Sequence, residues 1–309
     1  MFEYNYTKKH YHTLDYYLKS KYNKKVFKVP LNASFTCPNR DGSKSKGGCI
    51  FCSNEGSGDF AGNPRESLLN QFESVKKVME NKWPDSYAIA YFQAFSNTYG
   101  PISKLKECFE PFINKKDVIG LSIATRCDCI NEEIVEYLKE LKKHFKEFWV
   151  ELGLQSANKK TMELLNLQYT FKDFEKAVKL LAKANIDVIV HIIDGLPYES
   201  KQDQINTILK INKLPIKGIK IHVLNVINNT KLAKMYLNNE FEVIDDKAFI
   251  DIVTTQISYL KDDVIIHRLG ADSKVEDLIA PSWVRKKMSL VDEIDKTLDE
   301  LDIYQGDNY

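Results

Sequence analysis

Apolar, β-branched runs recur along the chain and are separated by amphipathic stretches. The runs KVPLNASF (28–35), YAIAYF (87–92), VIGLSIA (118–124), FWVELGL (148–154), DVIVHII (187–193) and GIKIHVL (218–224) each predict a strand. Their near-continuous apolar character predicts burial on both faces, as in a parallel sheet flanked by helices. Between them, NEEIVEYLKELKKHFK predicts a helix: Asn131 can cap it, two Glu sit at its positive end, and Lys residues crowd its last turn. PRESLLNQFESVKKVMENKW predicts another, with Pro64 at a first helical position. TFKDFEKAVKLLAKANI gathers Phe171, Phe174, Ala177, Val178 and Leu181 on one face. Six strands alternating with helices predict parallel βαβ units, in a barrel or a doubly wound sheet.

Polar, turn-forming segments follow the strands: TCPNRDGSKSKGGCIFCSNEGSGDF, QAFSNTYG, TRCDC, QSAN, DGLPYES and NVINNT. In a β/α barrel the loops after the strands' C-terminal ends converge on one mouth, so all of them are expected to face a single cavity. After about residue 240 the rhythm changes to a helix (DDKAFIDIVTTQISYL), a short strand (VIIHRL) and a terminal helical segment, which predicts an extension packed on the barrel.

Composition narrows the class. At 309 residues, 43% hydrophobic and 28% charged, the chain is a folded protein rather than a disordered one. No run approaches roughly 18 apolar residues, and MFEYNYTKKHYHT lacks a signal peptide's apolar stretch, so a cytoplasmic location is expected. The net charge of +1 names no partner. Residues 1–60 carry ten Lys/Arg against five Asp/Glu, and residues 261–309 carry seven against twelve. A basic front suits a phosphate backbone; it equally suits a solvated lysine-rich surface.

Three of the six cysteines, Cys37, Cys49 and Cys52, fall in the first polar segment as C-x11-C-x2-C. In a reducing compartment such thiols read as a metal or catalytic site rather than as disulfides. The spacing leaves several readings open. Cys127 and Cys129 can complete a four-ligand zinc site. Three cysteines alone can hold a 4Fe-4S cluster with one iron free. Unrelated free thiols are the third reading.

A C-x-aromatic-C pair after the first strand of a β/α barrel resembles the radical S-adenosylmethionine (SAM) superfamily. The long first spacing resembles its elongator-catalytic-subunit-like branch. Within that branch the chain is similar to the bacterial YhcC/YtqA-type proteins nearly end to end, through VFKVPLNASFTCPNRDGSKSKGGCIFC, YFQAFSNTYGP, SIATRCDC, WVELGLQSAN, GLPYES, IHVLNVINNTKLA, HRLGADS and DLIAPSWVRKKMSLVDEIDKTLDELDIYQG. The resemblance implies a partial (β/α)6 barrel of the TIM type over 28–240, preceded by a basic, Tyr-rich segment (1–27) and followed by a small α/β extension (241–309). It implies that Cys37, Cys49 and Cys52 bind a 4Fe-4S cluster whose fourth iron takes SAM, with Phe51 beside the adenine.

Further positions follow by the same resemblance. Gln93, Asn97 and Thr98 stand where relatives present a polar edge to SAM's amine, although a strand-end turn also explains them. Gln155 and Ser156 are expected near the ribose or carboxylate, and Gly195 close to the adenine. His191 is expected to face SAM or to be a hydrogen-bonded core residue. Two departures stand out. Relatives carry Thr-Arg-Pro-Asp where this chain has TRCD, and Asn-Arg-Gly-His-Thr where it has NLQYT, with Leu167 and Tyr169 replacing Arg and His. Arg126 is then the expected carboxylate ligand. Cys127 and Cys129 read as reactive or as packed small residues, and Cys108 as core. Lys220, His222, His267 and Arg268 are candidates for the substrate end.

The implied reaction is reductive cleavage of SAM to a 5′-deoxyadenosyl radical, fed by an electron donor such as flavodoxin or ferredoxin. The branch points to tRNA as substrate, at the C5 side chain of wobble uridine, with conversion of carboxymethylaminomethyl to aminomethyl. No segment resembles an acetyltransferase domain. The alternatives are a radical SAM enzyme acting on a protein or small metabolite, and a non-catalytic, metal-stabilised RNA-binding protein.

Overall fold

The computed structural model describes residues 9–56 and 58–309; the first eight residues of the basic, Tyr-rich N-terminal stretch lie outside the described residues. Strands β1 (Val26–Leu31), β2 (Tyr87–Phe92), β3 (Val118–Arg126), β4 (Glu147–Gln155), β5 (Asp187–Asp194) and β6 (Gly218–Val223) pair in parallel in chain order. β7 (Val226–Ile227) pairs antiparallel with β9 (Leu278–Ala280), while β8 (Ile265–Leu269) adds to β6 as the seventh strand of the main sheet. The fold is mixed α/β, and the sheet curls into a half-barrel. The short strand expected after residue 240 therefore joins the barrel wall itself.

Ten helices complete the described chain: α1 (Leu14–Tyr22), α2 (Leu68–Lys82), α3 (Ile102–Phe109), α4 (Glu132–Lys142), α5 (Lys159–Leu164), α6 (Phe171–Lys183), α7 (Lys201–Ile211), α8 (Lys231–Leu237), α9 (Asp246–Tyr259) and α10 (Lys287–Glu300). No helix among the described residues is long and apolar enough to cross a membrane. α4 begins where expected, with the Asn131 side chain accepting from the Ile134 N–H at 2.9 Å. α6 carries a capping box between Thr170 and Asp173 and buries Phe174, Ala177, Val178 and Leu181 against the sheet.

Two boundaries differ from expectation. Pro64 lies in a turn, because Ser67 is the better N-cap: its hydroxyl accepts from the Asn70 N–H at 3.2 Å. β1 ends at Leu31 rather than running to Phe35. There the Gln71 side chain takes both backbone groups of Asn32, at 2.9 and 3.0 Å, in place of a neighbouring strand.

The N-terminal ends of the strands are closed by α1. Leu18 packs with Val26, Ile89, Ile119, Trp149 and Ile189 in a cluster separate from the main core. Glu147, buried at the foot of β4, receives Lys21 Nζ and the Tyr22 hydroxyl at 2.6 Å each. This plug leaves the opposite end of the half-barrel as the open one. Leu18→Ala is expected to cost about 2–5 kcal/mol of stability in urea unfolding; a loss below about 1 kcal/mol would show that the plug contributes little.

Candidate functional site

At the C-terminal ends of the strands lies a cavity of about 310 Å³, lined by residues of the loop after β1 and of strands β2 to β6 and β8. Cys37, Cys49 and Cys52 all face it. Their loop is shaped by backbone bonds: the Cys37 carbonyl accepts from the N–H groups of Arg40 and Asp41, and Gly48 donates to the Asn39 carbonyl at 2.8 Å. Gly48 has φ +83°, and a Cβ there would sit 3.0 Å from Arg40 Nε, so a side chain would strain the backbone and crowd Arg40. Asn39 is fully buried; its amide donates to the Asn166 carbonyl at 2.6 Å and to Cys49 Sγ at 3.5 Å. The hydrogen bond from Cys52, then the nearby Arg126 and Asn39, outweigh burial and bring the Cys49 thiol down to about 7. Cys52, donating in that pair and buried, is pushed up.

Three partly buried thiols on one cavity form a soft donor set that fits an iron–sulfur cluster with one coordination position left to the cavity. Cys127 and Cys129 do not line the cavity, and burial pushes both thiols up, Cys129 to about 12. Burial likewise raises Cys108, to about 11. Among the described residues no three His, Cys, Asp or Glu side chains converge on a single-ion site.

The cavity floor is a charge network centred on Glu151, which is 1% exposed. Its Oε1 accepts from Lys28 Nζ at 2.6 Å and the Ser122 hydroxyl at 2.5 Å; its Oε2 accepts from Lys220 Nζ at 2.5 Å and faces His191 Nε2 at 2.7 Å. Burial alone would raise the Glu151 carboxyl, yet Lys220 and Lys28 hold it well below the ordinary carboxylate range. Burial pulls Lys220 down to about 7, and burial with Lys220 brings His191 down to about 4, so this imidazole is neutral. Tyr91 adds its ring beneath both lysines, at 5.1 and 4.5 Å.

Of the expected site residues, Phe51, Gln93, Arg126, Gln155 and His191 line the cavity, and Asn97, Thr98, Ser156 and Gly195 do not. The Asn97 amide bridges the carbonyls of Phe92, Ala94 and Ala124. Thr98 bonds the Thr125 hydroxyl and the Cys129 carbonyl, and Ser156 donates to Glu199. Gly195 has φ +76° and packs toward Ile244, while its N–H donates to Gln204 at 3.0 Å. These four tie strand ends together.

Arg126 is engaged as well. It makes a two-pronged pair with Asp128, both bonds 2.9 Å, donates to the Leu167 carbonyl at 2.6 Å, and lies over the Tyr169 ring. The residues that replace the family's Arg and His thus fasten Arg126 beside Cys49. Gln155 sits at φ +67° on a bulge of β4, the kind of strained backbone that strand ends at sites retain. Lys220, His222 and Arg268 line the cavity, whereas His267 packs edge-on against Trp149 at 5.0 Å. Sequence reasoning missed Lys28, Tyr91 and Ser122 as partners of Glu151. The available signal was a lysine inside an apolar strand, which burial permits only with a carboxylate partner.

Of the basic front over residues 1–60, Arg40, Lys44 and Lys46 lie in the cysteine loop, and the described lysines before it are paired. Lys9, Lys19, Lys21, Lys24, Lys25 and Lys28 each pair with a carboxylate, and α1 lies at the closed end of the barrel.

The family model of the radical SAM superfamily matches residues 35–211, and that of the radical SAM C-terminal domain matches 216–300. The chain is 41% identical to uncharacterized protein YtqA of Bacillus subtilis (strain 168) over 305 residues, covering 99% of this chain and 94% of that protein. It is 28% identical over 175 residues to a tRNA uridine(34) acetyltransferase of Methanocaldococcus infernus, covering 55% of this chain and 28% of that enzyme. Among solved structures, Elp3 of Methanocaldococcus infernus superposes with a TM-score of 0.67 at 18% identity, over 91% of this chain and 64% of that one.

The knot around Gly195 yields a pH prediction. Asp194 accepts from Gln256 at 2.9 Å, and burial raises its carboxyl from 3.8 to about 8. A raised folded pKa stabilises the fold fully below the unfolded value, and that stabilisation is lost as pH climbs to the folded one. Wild-type stability is expected to fall between about pH 4 and about pH 8 from this group. Asp194→Asn should remove the fall and gain about 1–3 kcal/mol at the upper end in denaturant titrations; a variant with unchanged pH dependence would refute the assignment.

Proposed function

The chain belongs to the radical SAM superfamily, an enzyme class that uses a 4Fe-4S cluster and SAM, and from that premise we propose that its substrate is the C5 side chain of the wobble uridine of tRNA, converted from the carboxymethylaminomethyl to the aminomethyl form. The observation that carries this reading is the identity shared with an enzyme named for uridine 34 of tRNA. That identity covers 28% of the named enzyme, so its acetyl transfer is not carried over. The cavity, at the C-terminal ends of the strands, suits a small extended group rather than a folded partner.

In this proposal Cys37, Cys49 and Cys52 hold the cluster, and Phe51, Gln93, Gln155 and His191 hold SAM. When bound, the pair supplies hydrogen-atom abstraction from an unactivated carbon. The rest falls to the chain's own side chains. Asn39 and Arg126 steady Cys49 and bias it toward thiolate. Glu151 keeps Lys28 and Lys220 fixed on the floor. Lys220, brought down to about 7, can give or take a proton at Nζ near neutral pH. The α1 plug closes the floor against water, so a reactive substrate carbon meets only fixed groups. The electron comes from a flavodoxin- or ferredoxin-type donor.

Two experiments test the proposal. Nucleosides from a strain lacking the gene are expected to accumulate carboxymethylaminomethyluridine and lose the aminomethyl form by LC-MS; unchanged wobble uridines would refute the tRNA reading. Cys49→Ala, reconstituted anaerobically, is expected to lose both its visible charge-transfer absorption and reductant-dependent 5′-deoxyadenosine, while Cys127→Ala keeps both. Retention of both signals in the Cys49 variant would overturn the ligand assignment.

A further inference from the structure

One wall of the cavity carries polar atoms that the chain leaves unsatisfied. His222 Nε2, Asn225 Oδ1 and Arg268 Nε are buried without a hydrogen-bond partner among the described residues, and all three residues line the cavity. They sit on β6, just beyond it, and on β8. Each atom forfeits its hydration; the Arg268 nitrogen, and the His222 nitrogen in its donating tautomer, can donate to a ligand, whereas the Asn225 oxygen can only accept.

The charge of the lining indicates which ligand. Five cations, Arg40, Arg126, Lys220, Arg268 and, behind Glu151, Lys28, face four carboxylates, Asp59, Glu151, Asp272 and the Asp128 that pairs Arg126, which leaves one positive charge in excess while Lys220 is protonated. Within this set Arg126 is consumed by Asp128, and Lys220 is shared with the second lysine on Glu151. Arg268 bonds Asp272 through Nη2 at the rim, with its Nε directed elsewhere. An unsatisfied guanidinium edge, an imidazole and a neighbouring ammonium match a planar carboxylate in both charge and donor count.

We propose that His222 and Arg268, with Lys220 at their foot, form a subsite that binds the terminal carboxylate of the substrate's side chain. The assignment rests on the tRNA reading, in which that group is the carboxymethyl end of the C5 substituent. SAM carries a carboxylate of the same chemistry, so the test separates the two sources.

The holoenzyme would be titrated with two anticodon stem-loops, one bearing carboxymethylaminomethyluridine and one bearing unmodified uridine, and separately with SAM. Wild type is expected to prefer the charged stem-loop. Arg268→Gln should weaken binding of that RNA by about 10- to 100-fold and raise its KM while leaving SAM affinity unchanged. Arg268→Lys should recover part of the loss, and His222→Gln provides an independent second lesion in the same wall. Loss of SAM affinity with RNA preference intact would assign the wall to SAM and overturn the proposal. A wild-type preference retained within about twofold in both Arg268→Gln and His222→Gln would overturn the subsite while leaving the tRNA reading standing. If wild type itself shows no preference for the charged stem-loop, the tRNA reading fails and the subsite's occupant with it.

Discussion

A carboxylate buried between two lysines is tolerable only where the backbone delivers all three groups to one point. Lys28 on β1, Glu151 on β4 and Lys220 on β6 meet within 2.6 Å contacts, although none of these strands pairs with another of the three. In a flat sheet β1 and β6 would stand five strand spacings apart, roughly 24 Å at about 4.8 Å each. Both lysines nevertheless reach the same carboxylate, so the curl of the half-barrel and this ion cluster require one another. Desolvating the three charges costs several kcal/mol per ion, which short contacts, Ser122 and His191 offset. The network therefore specifies the shape of the cavity more than it adds stability.

The mouth follows a different rule. The cysteine loop is anchored by Asn39, by backbone amides and by the Arg40 guanidinium, which donates to the carbonyls of Cys52, Ser53 and Asn54, leaving the three thiols facing the cavity. A second guanidinium, Arg126, is neutralised by Asp128 and kept beside Cys49 by the Leu167 carbonyl and the Tyr169 ring. Its influence on the sulfur is that of a fixed, partly compensated charge. Leu167 and Tyr169, which read as losses of an Arg and a His in the sequence, supply that clamp.

The strands and the helices of the barrel were legible because each carries its own periodicity and caps: Asn131 and the Thr170–Asp173 box mark helix starts without tertiary help. The cysteines were legible because spacing alone brings them into one loop. Local rules failed where a distant side chain decides the outcome. Gln71 ends β1 early by occupying Asn32, and nothing near residue 31 announces it. Asn97, Thr98, Ser156 and Gly195 sit at strand ends, as residues that face a ligand do, yet their bonds run to Ala124, Thr125, Glu199 and Gln204. Position along a strand gives proximity to the mouth; which way a side chain turns depends on partners dozens of residues away.

The same reasoning explains why the seventh strand matters. β8 arrives from the region after residue 240 and extends the wall beyond β6, bringing Arg268 beside Lys220 in the sheet register. That pairing places two cations on adjacent strands, which is unfavourable unless each has a counter-charge. Glu151 provides one from inside the barrel and Asp272 the other from the rim. Of these two, the rim pair is the more exposed and hence the weaker. An incoming anion competes most readily there.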